Sequence, residues 1–138
     1  MPKTESLIEA AQTVRTNAYA PYSVYPVGAA VLGSDGAIYT GCNVENISFG
    51  LTMCAERVAI GAMIAAGCRK VTEVAIATRD GGSPCGMCRQ TLAEFTSQPE
   101  QVTIWLVDEQ GNRRSATLAE LIPDTFTTDL QSNNQDNQ

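Results

Sequence analysis

The chain has 138 residues, five cysteines, no histidine and a formal net charge of −6, with 43% hydrophobic and 17% charged residues. That length accommodates one domain whose core stands without disulfides, and the composition is that of an ordinary soluble globular protein. Nine Lys and Arg against fifteen Asp and Glu leave no basic face, which excludes nucleic acid as the expected partner and favours a small, weakly charged ligand.

From about Glu5 to Tyr19, the residues Leu7, Ile8, Ala11, Val14, Ala18 and Tyr19 fall on one stripe, predicting a first helix. Ala20-Pro21-Tyr22-Ser23 breaks it. The apolar run Val27–Leu32 and the run Ala37–Gly41 flank Ser34-Asp35-Gly36, an Asp-Gly hairpin signal between two antiparallel strands. Cys54 to Ala66 predicts a buried helix closed by Gly67. Val71–Thr78 is an inner strand, Cys88–Thr96 a helix, and Val102–Val107 another strand, followed by a turn at 109–112. The adjacent pair Arg113-Arg114 is expected in a solvated surface turn, and Leu118–Leu121 as a short helix stopped by Pro123.

This order predicts an α/β domain over residues 1–130: a single mixed β-sheet with helices on both faces, in three layers. The polar tail 131–138 has nothing to bury and is expected to be disordered. No basic start leads into a signal-length apolar run, and no apolar segment of about 18 residues is present. A cytoplasmic protein with no membrane partner is therefore expected. In a reducing compartment its cysteines are thiols or metal ligands before they are disulfides.

Cysteine spacing carries the chemistry. Cys85 and Cys88 follow a Gly-Gly-Ser-Pro loop and lead into a helix, so both sulfurs can face one ion. Cys54 opens the preceding helix, one strand away, and successive strand ends in an α/β sheet share an edge. Three protein ligands with an open fourth position is the pattern of a catalytic zinc site. Glu56, two residues on from Cys54, lies about 200° further round the helix, yet within its first turn it can reach beside the ion and move protons. Three thiolates overbalance one zinc dication, so compensating charge is required. Two helix N-termini and Arg57, able to donate to a sulfur, supply it.

Taken alone, Cys-x-x-Cys is also compatible with a redox pair, although the thioredoxin-type arrangement is lacking. A structural zinc site is a further alternative, and it requires a fourth ligand such as Cys42 or Cys68.

The segments Ala20-Pro21-Tyr22-Ser23, Val27-Gly28-Ala29-Ala30, Gly41-Cys42-Asn43-Val44-Glu45-Asn46, Cys54-Ala55-Glu56-Arg57 and Ser83-Pro84-Cys85-Gly86-Met87-Cys88-Arg89-Gln90 together resemble the small homotetrameric zinc-dependent cytidine deaminases. Glu120-Leu121-Ile122-Pro123-Asp124-Thr125-Phe126 is similar to that family's C-terminal pattern. The resemblance implies a cytidine deaminase-like fold and hydrolytic deamination of cytidine or 2′-deoxycytidine in pyrimidine salvage. It implies Zn2+ held by Cys54, Cys85 and Cys88, with Glu56 as the proton shuttle. It places Asn43 and Glu45 on the ribose hydroxyls, and Tyr25, Ala55 and Phe126 against the substrate. Arg57 tempers the thiolate charge and Gln90 contacts the reacting oxygen. Phe49 and Phe126 match aromatics that complete a neighbouring subunit's pocket in the tetramer. Two departures stand out. Tyr25 replaces the family's usual Phe, and 47–53 fits in length more than in residues, which leaves a different aminopyrimidine nucleoside such as blasticidin S as an alternative substrate.

Overall fold

The computed structural model describes residues 3–127, so the polar tail at 131–138 and the last residues of the expected domain lie outside the description. Helix α1 (Lys3–Arg15) buries Leu7, Ile8 and Ala11 on one side, as their spacing requires. It ends at Arg15, short of the expected Tyr19. The Tyr19 amide donates to the Asn43 carbonyl at 2.9 Å and its carbonyl accepts from the Glu45 amide at 2.9 Å. These two extended-chain hydrogen bonds replace the helical ones, and the Tyr19 side chain is exposed.

The hairpin forms as expected from β1 (Gly28–Gly33) and β2 (Ile38–Cys42), and β1 continues the sheet by pairing antiparallel with β3 (Val71–Ala77). β3 lies parallel to β4 (Thr103–Val107), giving the order β2-β1-β3-β4-β5. The last strand, β5 (Arg113–Thr117), corrects the expected surface turn at Arg113-Arg114. Its first three residues are exposed, so it lacks the apolar alternation by which a strand is recognised. What holds it is the β4 ladder, together with the Arg113 guanidinium on both Glu5 carboxylate oxygens at 2.7 and 3.1 Å.

Both sheet faces are covered. Ala30, Ala75, Ala77 and Val107 pack under α1, while Ala29, Val31, Val74, Ile76, Ile104 and Leu106 pack with α2 (Ala55–Ala65) and α3 (Gly86–Glu94). A strand covered on both sides carries a continuous apolar run, which is why β1 and β3 read that way in sequence. The short helix α4 (Leu118–Leu121) starts on a complete capping box between Thr117 and Glu120.

Register fixes the functional edge. Gly28 pairs with both Cys42 and Ala77, and Ala77 with Val107, so the C-terminal ends of β2, β3 and β4 lie together. The chain leaving β2 reaches the start of α2, and the chain leaving β3 reaches the start of α3, which is the crevice where α/β sheets place ligands. At Gly41 a side chain is impossible without displacement: an added Cβ would sit 2.6 Å from the Ala55 carbonyl oxygen and closer still to the Ala59 amide. Glycine there lets the first turn of α2 lie directly on β2.

Candidate functional site

Cys54 is the N-cap of α2 and Cys85 the N-cap of α3, while Cys88 occupies the first turn of α3. Both caps are extended in backbone and neither side chain caps its own helix, which leaves the sulfurs free to face the crevice. The three Sγ atoms lie within 4.8 Å of one another, with Cys85 and Cys88 at 3.5 Å. Among the described residues no fourth cysteine or carboxylate joins the group. Cys68 sits elsewhere, its sulfur 3.7 Å from both the Ser34 hydroxyl and the Lys70 carbonyl. Neither Cys68 nor Cys42 therefore closes the site.

The thiols cannot all ionise unaided. Cys54 is pulled down to about 5, first by the hydrogen bond from the Cys88 thiol and, against burial, by the Arg57 guanidinium. Cys88 is pushed up by that same bond to Cys54, by burial and by the nearby Glu56 charge. A thiolate is thus favoured at Cys54 and opposed at Cys88 beside it. A bound dication resolves the conflict by letting all three sulfurs be thiolates, so the donor set fits zinc. Two helix N-termini add partial positive charge at the same point, and Arg57 Nη2 lies 3.6 Å from the Cys54 sulfur while donating to the Thr52 carbonyl at 3.1 Å.

Beside the sulfurs lies a cavity of about 280 Å3, near the lower limit of small-molecule pockets. Glu56 faces it from the first turn of α2 and is only 5% exposed. Burial pushes its carboxyl above the usual range, as suits a group that exchanges protons near neutrality.

Asn43 and Glu45, both buried, also line the cavity. The Asn43 side-chain oxygen accepts from the Val27 amide at 2.9 Å, and its Nδ2 donates to the Tyr25 carbonyl at 3.0 Å. Glu45 Oε1 accepts from the Tyr22 and Ser23 amides at 3.0 and 3.1 Å, and Oε2 from the Ser23 hydroxyl. The Ser23 hydroxyl, chiefly, holds the Glu45 carboxyl below its usual range. Of the capacity of these groups, Asn43 keeps one donor and one acceptor site and Glu45 one acceptor site. Both side chains are thus held rigid by the turn 22–27 while retaining hydrogen-bonding capacity for a ligand.

Tyr25 lines the cavity as well, its hydroxyl donating to Asp80 Oδ1 at 2.6 Å. The structure does not bring Ala55, Gln90 or Phe126 to the cavity wall. The Ala55 methyl is in the core, and only its backbone, in the first turn of α2, is near the site. Gln90 lies two residues past Cys88 in α3, about 200° round from it. Phe126 is 73% exposed. Phe49 is 72% exposed and packs edge-on against Tyr22, with ring centroids 5.8 Å apart, in a shallower hollow that shares Ser23, Glu45 and Thr52 with the main cavity.

Thr52 and Thr78 line the cavity without having been singled out from sequence. Thr78 Oγ accepts the amides of Gly81 and Gly82 at 2.7 and 2.9 Å and so shapes the loop that delivers Cys85. Arg89 braces the same loop through the Pro84 carbonyl at 2.8 Å and ties it to the Leu121 carbonyl of α4 at 2.7 Å. A buried threonine at a strand end before Gly-Gly is a weak signal. Arg89 carries none.

Residues 1–104 match the family described as the cytidine and deoxycytidylate deaminase zinc-binding region. The chain belongs to this family. A cytidine deaminase of Sporosarcina psychrophila is 41% identical over 125 residues, which cover 89% of this chain and 90% of the relative. The crystal structure of the cytidine deaminase of Burkholderia pseudomallei superposes with a TM-score of 0.82 at 43% identity, covering 88% of this chain and 98% of that one. That of Mycobacterium tuberculosis gives 0.79 at 36% identity, covering 93% and 100%. As a member of the deaminase family, the chain carries the family's zinc-binding region on the fold of these solved enzymes, and its cofactor is zinc.

Proposed function

We propose that this protein hydrolyses cytidine and 2′-deoxycytidine to uridine and 2′-deoxyuridine, releasing ammonia, in pyrimidine salvage. The observation that carries this reading is the open group of three thiols within 4.8 Å, set in one cavity with a buried carboxyl. Cys54, Cys85 and Cys88 hold zinc, which when bound supplies Lewis-acid activation of water. The Glu56 carboxylate takes the two protons of the attacking water in turn, passing one to the ring nitrogen N3 and the other to the amine, which departs as ammonia as the carbonyl forms. Arg57 withdraws charge from Cys54. The backbone at Ala55 is assigned to the substrate by family resemblance.

Asn43 and Glu45 bind the sugar diol with their remaining donor and acceptor sites, and Tyr25 packs beside the base. An ionised Glu45 next to the sugar opposes a 5′-phosphate, so nucleosides are the substrates and nucleotides are not. The same logic excludes polynucleotides.

The working unit is a homotetramer in which Phe49 and Phe126 complete a neighbour's pocket. In support, the apolar residues Ile47, Phe49, Leu51 and Phe126 are all exposed. The protein is cytoplasmic. Its five cysteines are all free, as in a reducing compartment, and among the described residues no helix is long and apolar enough to cross a membrane.

The test is a substrate panel on zinc-loaded protein: cytidine, 2′-deoxycytidine, their 5′-monophosphates and blasticidin S, with light scattering for the assembly. Turnover confined to the two nucleosides is expected. Preference for a monophosphate or for blasticidin S would overturn the assignment.

A further inference from the structure

The turn 22–27 and the loop 78–85 both contribute to the lips of the cavity and come from distant parts of the chain. The turn holds the sugar-side wall, since its backbone binds Glu45 and Asn43. The loop leads into Cys85 and is shaped by Thr78. They meet at Tyr25. Its hydroxyl donates to Asp80 at 2.6 Å, and the Arg79 guanidinium lies 5.2 Å from its ring centroid while reaching the Val24 carbonyl at 3.5 Å. The Gly82 backbone closes beneath, where a Cβ would come within 2.6 Å of the hydroxyl. Asp80 is anchored from behind by a bridge to Asp108. Immediately before Tyr25, Val24 adopts φ 54°, a conformation rare for a β-branched residue and held only where surroundings enforce it.

We propose that Tyr25 and Asp80 form a latch between the sugar-side and metal-side lips, making Asp80 a positioning residue for nucleoside binding. The inference rests on the deaminase reading and adds a residue to it. A phenylalanine at 25 packs the same ring but removes the hydroxyl's hydrogen bond to Asp80, leaving, of these contacts, only those of Arg79 to tie the two segments. Neither the Tyr25 hydroxyl nor Asp80 hydrogen-bonds a sulfur or Glu56, so loosening the latch acts on binding of ground and transition states alike and appears in KM.

The experiment compares wild type, Tyr25→Phe, Asp80→Ala, Asp80→Asn and the double variant Tyr25→Phe/Asp80→Ala. It reads kcat, KM for cytidine, zinc content, and amide exchange of Ser23 and Val27. Each of Tyr25→Phe and Asp80→Ala is expected to raise KM about three- to tenfold, the range for losing one ordinary intramolecular hydrogen bond. Zinc content and kcat stay near wild type, and the double variant is no worse than the worse single one. Asp80→Asn, which keeps an oxygen acceptor, recovers most of the loss. Without substrate, Ser23 and Val27 amides exchange faster in both single variants. Unchanged KM in Asp80→Ala, multiplicative losses in the double variant, or unchanged exchange would each overturn the latch. Failure of wild type to turn over cytidine would instead overturn the deaminase reading, leaving the latch to be decided by the exchange data.

Discussion

Arg57 reaches the Cys54 sulfur at 3.6 Å from the same nitrogen that is anchored on the Thr52 carbonyl at 3.1 Å. Its Nε is buried with no partner among the described residues. Arg57→Ala leaves Cys54 with more electron density and zinc a weaker Lewis acid. We expect zinc to be retained, kcat/KM to fall about tenfold or more, and the acid limb of the pH–rate profile to move to higher pH. Steady-state kinetics across pH 5–9, a range set around neutrality, check this.

Three ligands and an open position predict a specific pattern of metal loss. Cys54→Ser, Cys85→Ser and Cys88→Ser should each lower zinc content and abolish turnover. Cys42→Ser and Cys68→Ser should keep both, since neither sulfur belongs to the group. Zinc determination on the five purified variants decides between this centre and a closed structural one.

Glu45 links site and stability. Its carboxyl is held below its usual range by the Ser23 hydroxyl, with burial opposing and the Ser23 and Tyr22 amides assisting. A depressed folded-state value means the stabilisation is complete above the unfolded value, about 4.3, and is lost as pH falls through the folded one. Glu45→Gln should therefore flatten the fall of Tm below about pH 5 while raising KM for cytidine about tenfold or more through the lost sugar contact. Thermal melts from neutral to acid pH, beside kinetics at neutral pH, measure the two effects.

Gly41 tests how the fold positions the chemistry. Gly41→Ala drives a methyl group against the backbone of α2 at Ala55 and Ala59. The expected cost is about 1–3 kcal/mol of stability, as for overpacked cores, with weaker zinc retention because Cys54 and Glu56 ride on that turn. Denaturant unfolding and competition with a chelator measure both.

What was legible in the sequence follows from where the information is local. The Cys54, Glu56, Cys85 and Cys88 cluster could be read because helix starts fix side-chain direction within a turn, and the α/β order brings two such starts to one sheet edge. The layered fold was equally plain from the continuous apolar runs of β1 and β3. β5 was missed because its exposed Arg113-Arg114-Ser115 carries no periodicity, and only pairing with β4 makes it a strand. The overrun of α1 to Tyr19 has the same origin, a bridge to Val44 that no local pattern announces. Thr78, Arg89 and the meeting of Tyr25 with Asp80 depend on register between distant segments.

The central claim is that Glu56 moves protons beside a three-thiolate zinc in the deamination of cytidine. Its most direct test is ammonia and uridine released from cytidine by zinc-loaded wild type and by Glu56→Gln, with zinc content measured in both. One ammonia per uridine from wild type, and a loss of about a hundredfold or more in the variant at unchanged zinc content, is the predicted result. No ammonia from the zinc-loaded wild type, or near wild-type turnover in Glu56→Gln, would contradict it.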